Sequence, residues 1–362
     1  MDTLNLGRAA EDRSAPAVSP RNAEPVPAGS IKAPTVGVVV ANHDNAAFVG
    51  RALASIARQT VQDLRVVVVD DASTDGSDAA IRDALDRLGD RRFDYVRLSR
   101  NLGQAGAVRC GLARLDTPFV CFLDSDDVWY EGFLAAHLAV HLNGDFPVAL
   151  TYCDSHVIDA ADRLIAGTAW WFDFKPEAQV ARPVEPARLP RLDPANGQLT
   201  YPVTAKVIFQ PQWSADAATN STASMMLRRS FVDLVLVVPD AALRLYLDYY
   251  LASFALLMTG AMAIDQALYG YRMHGRNKHS DGAVLGGAYT GGSRPWQPIA
   301  RAIQRQILAV LDDDPERFAQ AFGRPRVEFA RRSLRAALRP PLLAQPLAAL
   351  RTMLTMASRA RT

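Results

Sequence analysis

Asp124-Ser125-Asp126-Asp127 puts three carboxylates within four residues. The run before them, Pro118-Phe119-Val120-Cys121-Phe122-Leu123, is short, apolar and rich in β-formers. It predicts a buried strand with the acids crowded at its C-terminal end. Anions held that close repel one another unless a positive charge sits among them. A hard divalent cation, Mg2+ or Mn2+, takes oxygen ligands of this kind and keeps coordination positions open for a diphosphate. The same residues also read as a solvated acidic turn capping a helix that begins near Tyr130.

The elements that must position these acids alternate along the chain. Residues 1–33 are rich in Ala, Pro, Ser and charge, lack an apolar period, and predict a disordered tail. Thr35 to Val40 reads as a first strand, followed by a helix with Phe48, Ala52 and Ile56 on one face. Leu64 to Val69 reads as a second strand running into Asp70-Asp71. The turn from Ala72 to Ser77 offers an N-cap for a helix carrying Ile81, Leu85 and Leu88, which Gly89 ends. A strand at Tyr95 to Ser99 and a helix at Ala105 to Leu115 lead to the strand before Asp124. Near-continuous apolar strands alternating with helices predict an α/β fold, its sheet largely parallel and covered on both faces. Such sheets bind ligands at the C-terminal strand edges. Asp70, Asp71 and the acidic cluster all fall on that edge, which favours a site over a plain turn.

Beyond the cluster, residues from about Asp159 to Trp213 give way to irregular, Pro-rich sequence that includes Trp170-Trp171. Regularity returns at Ala223 to Leu227, in an apolar helix around Leu247 to Met258, and in strands at Ala261 to Asp265 and Ala267 to Tyr271. A Gly-rich link over 282–294 leads to an increasingly basic, helical C-terminus over 295–362.

Composition narrows the class. The chain has 362 residues, 49% of them hydrophobic, enough for one large core or two modest ones. A formal net charge of +2 argues against nucleic acid as a partner. Cys110, Cys121 and Cys153 form no metal-ligand spacing and read as reduced thiols of a cytoplasmic protein. No secretory leader is legible at the N-terminus. The most apolar run, Tyr249 to Ile264, falls short of the ~20 residues a bilayer span needs, so no transmembrane helix is expected.

Five ordered blocks together resemble the family 2 glycosyltransferases, which have the GT-A fold. They are the strand Val36 to Asp44, the run Val68 to Gly76 containing Asp70-Asp71, Asn101 to Gly111, the acidic cluster, and Leu247-Asp248 followed by Tyr271 to Asn277. Ala41, His43, Asp44 and Leu247 depart from the residues usual in that family. The resemblance implies a Rossmann-like twisted sheet and an inverting transfer of a sugar from a nucleotide diphosphate sugar, a UDP-sugar favoured, to an acceptor hydroxyl. It implies a catalytic domain over 34–281, with a nucleotide-sugar half over 34–130 and an acceptor half over 131–281.

Carried over residue by residue, the resemblance makes Asp248 the general base, taking the proton of the acceptor hydroxyl. An apolar helix behind it would raise its pKa; a carboxylate placed to favour a helix N-terminus is the structural alternative. Ala41, Asp44, Asp71, Arg109 and Asp124 fall on the donor side. Asp71 would accept from a ring N–H of the base, and Asp124 would approach the ribose. Arg109 would meet phosphate or a site carboxylate, while Asp70 or Asp75 could serve only to cap their turn. Asp126, Asp127 and His274 are the implied metal ligands for Mn2+ or Mg2+, with capping or backbone bonding as alternatives for the last two. Trp170 and Trp171 could stack on an acceptor sugar or anchor packing. His137 and His141, spaced i and i+4 without a third ligand, read as a surface feature rather than a zinc pair.

Absence of a Gly-rich turn after the first strand argues against a nicotinamide dehydrogenase. The remaining rival is a GT-A module that binds nucleotide sugar with little turnover and serves a regulatory role. Cell-surface glycan synthesis, with a glycan or lipid-linked acceptor, suits the class. From Arg324 onward arginines interleave with leucines, a pattern that can lie on the inner face of a membrane or pack back on the catalytic domain.

Overall fold

A computed structural model describes residues 33–144, 146–167, 206–214, 221–237, 243–277 and 296–339, with strand residues 183–184, 192–193 and 198–199. Expectations for the tail, for Trp170 and Trp171, for the Gly-rich link and for 340–362 lie outside the described residues.

The first half alternates strand and helix: β1 (Val36–Asn42), α1 (Val49–Ala57), β2 (Leu64–Asp70), α2 (Ser77–Leu88), β3 (Phe93–Arg97), α3 (Gln104–Leu112) and β4 (Phe119–Asp124). The second half adds β5 (Val128–Trp129), α4 (Phe133–Asn143), β6 (Leu150–Asp159), β7 (Leu164–Ala166) and the short strands β8 (Pro183–Val184), β9 (Leu192–Asp193) and β10 (Gln198–Leu199). Then come β11 (Val207–Gln210), a 3-10 turn at Thr222–Ser224, β12 (Met225–Arg228), α5 (Arg229–Val235), α6 (Leu247–Met258) and β13 (Ala261–Met273). Three helices follow: α7 (Trp296–Asp313), α8 (Pro315–Phe322) and α9 (Arg324–Leu338).

The main sheet runs β3-β2-β1-β4-β12-β6-β13-β11-β8, with β5 on β13 and β7 on β6. Strands β3, β2, β1 and β4 pair in parallel, as do β6 and β13, while β12 enters antiparallel between β4 and β6. Because strand side chains alternate faces, the valine runs feed two separate cores. Val38, Val40, Val66 and Val68 point to α1, α2 and α4, whereas Val39, Val67 and Val69 point to α3 and α6. Both faces are therefore covered, as the unbroken apolar strands require. The C-terminal ends of β1, β2 and β4 lie side by side, with Asn42 opposite Asp70 and Ala41 opposite Asp124.

Three expectations need correction. Chain read as irregular between Asp159 and Trp213 contains β11, which pairs with β13. The two strands read on either side of Asp265 are one strand, β13, with register shifts between Ile264 and Tyr269 that leave Asp265 and Gln266 exposed. Its neighbours hold it on both sides, so the polar pair interrupts the register and not the strand. His137 and His141 are core residues: α4 is buried around most of its circumference, and the two rings meet the Thr151 hydroxyl at 2.7 Å and the Met226 carbonyl at 3.0 Å. Burial depresses both pKa values and keeps the rings neutral.

The described C-terminal helices join the core. Ile307, Leu311, Phe318, Val327, Ala330 and Leu334 pack in the same cluster as α6. The Arg326 guanidinium donates to the Met258 and Leu256 carbonyls at 3.1 and 3.0 Å, closing the C-terminal end of α6. The apolar face of α9, with Val327, Ala330 and Leu334, is thus spent on the fold. Leu334 is fully buried, so Leu334→Ala should cost about 2–5 kcal/mol of stability, measured by urea denaturation. Among the described residues no helix is long and apolar enough to cross a membrane.

Candidate active site

Strand β4 delivers Asp124 to the sheet edge, and the turn after it, with Asp127 N donating to the Asp124 carbonyl, aims the next two acids apart. Asp124 is held at both oxygens. Gln104 Nε2 donates to Oδ1 at 3.1 Å and the Thr222 hydroxyl to Oδ2 at 2.9 Å. Neither gripping residue was legible as functional: Gln104 opens α3 after Gly103, and Thr222 lies about a hundred residues downstream. Burial first, then the charge of Asp126, pushes the Asp124 pKa up to about 7, and Asp248 adds to the rise.

Asp126 turns toward His274, whose Nε2 lies 3.2 Å from its Oδ2. Asp127 is buried instead beneath β13, where Oδ1 accepts the Arg272 N–H at 2.8 Å. Burial, then Asp126 and Asp124, raises its pKa strongly. Asp127 Oδ2 and His274 Nδ1 have no hydrogen-bond partner. His274 packs on the Phe48 ring, centroids 4.7 Å apart, and its backbone N–H donates to Asn277 Oδ1 at 2.7 Å.

Asp248 enters from the first turn of α6. Its pKa is raised to about 6 by burial, against the lowering effect of the Tyr249 N–H. Tyr271 records the convergence: burial and then the fields of Asp127, Asp126, Asp124 and Asp248 all push its phenol upward. Carboxylates from β4, its following turn and α6 therefore lie near enough to act on one phenol.

The rim is built from β1, β2 and the loop before α3. Asp71 is 3% exposed, and its two oxygens accept the backbone N–H groups of Leu102 and Gly103 at 2.6 and 2.8 Å. Gly103 is required there, with φ +80 and a Cβ position only 2.8 Å from Arg244 Cα. The loop in turn meets the start of α6, as Gln104 N donates to the Arg244 carbonyl at 3.0 Å and Leu247 N to Gln104 Oε1 at 3.4 Å. Asp70 bonds Asn42 at 2.9 Å and also Ser73, and Asp75 accepts the Ser77 N–H at 3.0 Å, so both fasten the turn before α2. Asp44 adopts φ 56 and accepts the Thr74 N–H at 2.8 Å. Ala41 sits in β1 in register with Asp124. Arg109, on α3, is half-buried facing Tyr250 of α6, and desolvation lowers its pKa.

Among the described residues no three His, Cys, Asp or Glu side chains converge into a ready-made cation cage. The donor set fits a more open site. Asp126 and His274 already face one another, and a hard cation bound beside a diphosphate takes only one or two protein ligands.

Residues 37–181 match the glycosyl transferase family 2 model. An uncharacterized glycosyltransferase of Nostoc sp. is 25% identical over 250 residues, 68% of this chain and 67% of that protein. The succinoglycan biosynthesis protein ExoO of Rhizobium meliloti is 27% identical over 67% of this chain and 61% of its own length. Among solved structures, S. aureus TarS 1-349 in complex with UDP-GlcNAc aligns with a TM-score of 0.48 and 16% identity over 84% of this chain and 82% of that one.

Proposed function

We propose that the chain, whose residues 37–181 match the glycosyl transferase family 2 model, is an inverting enzyme that moves a sugar from a nucleotide diphosphate sugar to an acceptor hydroxyl. The observation that carries this reading is the gathering of Asp124, Asp126 and Asp248: Gln104 bonds both Asp124 and the Leu247 N–H at the start of α6, and the fields of all three acids reach Tyr271. Crowded acids at a sheet edge suit a cation-assisted diphosphate site, and a carboxyl with a pKa of about 6 suits a base working near neutrality.

In this reading Asp248 accepts the proton of the acceptor hydroxyl as that oxygen attacks the anomeric carbon, and the nucleotide diphosphate leaves from the opposite face. Asp124, fixed by Gln104 and Thr222, orients the ribose. Each Asp71 oxygen retains a lone pair beyond its backbone bond for a ring N–H of the base. Ala41 and Asp44 line the donor side, and Arg109 lies behind it. Asp126 and His274 would hold Mn2+ or Mg2+, which when bound neutralises charge on the diphosphate. Asp127, committed to the Arg272 N–H, supports that pair from beneath. Trp170 and Trp171 remain acceptor-side candidates. A role in polysaccharide synthesis is supported by the likeness to ExoO, a succinoglycan biosynthesis protein.

A panel of nucleotide sugars with Mn2+ tests the proposal by thermal shift and by release of nucleotide diphosphate. At least one donor should raise the melting temperature, by an amount set by its concentration over Kd, and should be hydrolysed slowly without acceptor. Stabilisation with no release under any condition would favour the binding-module alternative. No stabilisation by any donor would reject the donor site.

A further inference from the structure

Among the described residues Arg272 is the largest fully buried side chain, at 0% exposure, and the reaction outlined above gives it no part. A guanidinium is kept out of water only where its donors are met. Here Nε donates to the Asp126 carbonyl at 2.6 Å and Nη1 to the Asp159 carbonyl at 2.8 Å. Nη2 makes no hydrogen bond and is met by charge alone, in an ion pair with the Asp162 carboxylate, which also pairs with Arg51 at 2.9 Å, and the guanidinium lies 5.1 Å from the centre of the Phe48 ring. The main chain of the same residue is equally committed. Its N–H holds Asp127 at 2.8 Å, and its carbonyl accepts from Asn277 Nδ2 at 2.6 Å.

These contacts place one residue between the two halves of the Asp126–His274 pair. Upstream, its side chain fixes the peptide of Asp126 from behind and its N–H fixes the next residue. Downstream, through Asn277, it sets the backbone N–H of His274, and Phe48 backs both the guanidinium and the imidazole. We propose that Arg272 is a positioning residue that presets the Asp126 carboxylate against His274, so that the cation meets an assembled pair. The inference rests on the metal-site reading above.

Lysine is the discriminating substitution, because it keeps the charge yet cannot reach two carbonyls in a fixed fork. Mn2+ binding to the full chain is followed by titration with electron paramagnetic resonance, alongside nucleotide diphosphate binding without metal. Arg272→Lys should weaken Mn2+ binding about tenfold or more, the scale on which supporting partners of metal ligands act, while metal-free nucleotide binding stays within twofold. Asp126→Ala is the reference. If Arg272→Lys binds Mn2+ within twofold of wild type while Asp126→Ala does not, the positioning role is wrong; if Asp126→Ala also binds normally, the metal-site reading itself fails. Should Arg272→Lys not fold, Asp162→Asn carries the test, since that carboxylate is 46% exposed and touches neither proposed ligand. It should weaken Mn2+ binding about threefold, and unchanged binding would overturn the proposal.

Discussion

Asp248→Asn should lower sugar transfer by on the order of 10² to 10⁴, the usual contribution of a positioned general base, while donor binding persists. The amide is nearly isosteric and stays in the first turn of α6, so the site keeps its shape. The pH profile supplies a second signature. Wild-type kcat/KM should fall as pH drops through about 6, where the buried carboxyl takes up its proton, and the residual activity of the variant should lose that limb. Transfer retained within a few-fold, with the acidic limb intact, would mean that another group removes the acceptor proton.

Asp126→Ala should abolish the metal-dependent part of donor binding, weakening nucleotide diphosphate affinity in Mn2+ by about 100-fold or more, since loss of supporting partners alone costs 10–100-fold. Calorimetric titration with and without Mn2+ measures it. Stability moves the other way. Asp124 binds a proton more tightly folded than unfolded, with its pKa near 7 against an ordinary 3.8. The stability this contributes is present below about pH 4 and declines as pH rises through about 7. Removing Asp126 relieves one cause of that raised pKa, so the metal-free variant should melt higher than wild type at pH 8. Equal affinity of variant and wild type in Mn2+ would reject the metal site.

The sequence by itself determined the α/β alternation, the placing of Asp70, Asp71 and Asp124 at one sheet edge, and Asp248 at the start of its helix. These are local properties. Apolar period sets strand and helix, and a residue just past a parallel strand must emerge at its C-terminal edge. The third strand came out two residues off, because Phe93 to Arg97 is only partly buried and its apolar signal is weak. What only the tertiary structure decided is who meets whom. Asp126 and Asp127 are neighbours in sequence, yet one faces His274 and the other receives the Arg272 N–H, because consecutive residues point to different sides of the turn. Gln104 and Thr222 grip Asp124, and Arg272 is buried behind the acids, through partners 20, 98 and 146 residues apart. Histidines spaced like a ligand pair on α4 proved to be core, since helical spacing says which residues share a face and not what covers it. That choice belongs to long-range packing, where register and burial select among partners that the local sequence leaves equivalent.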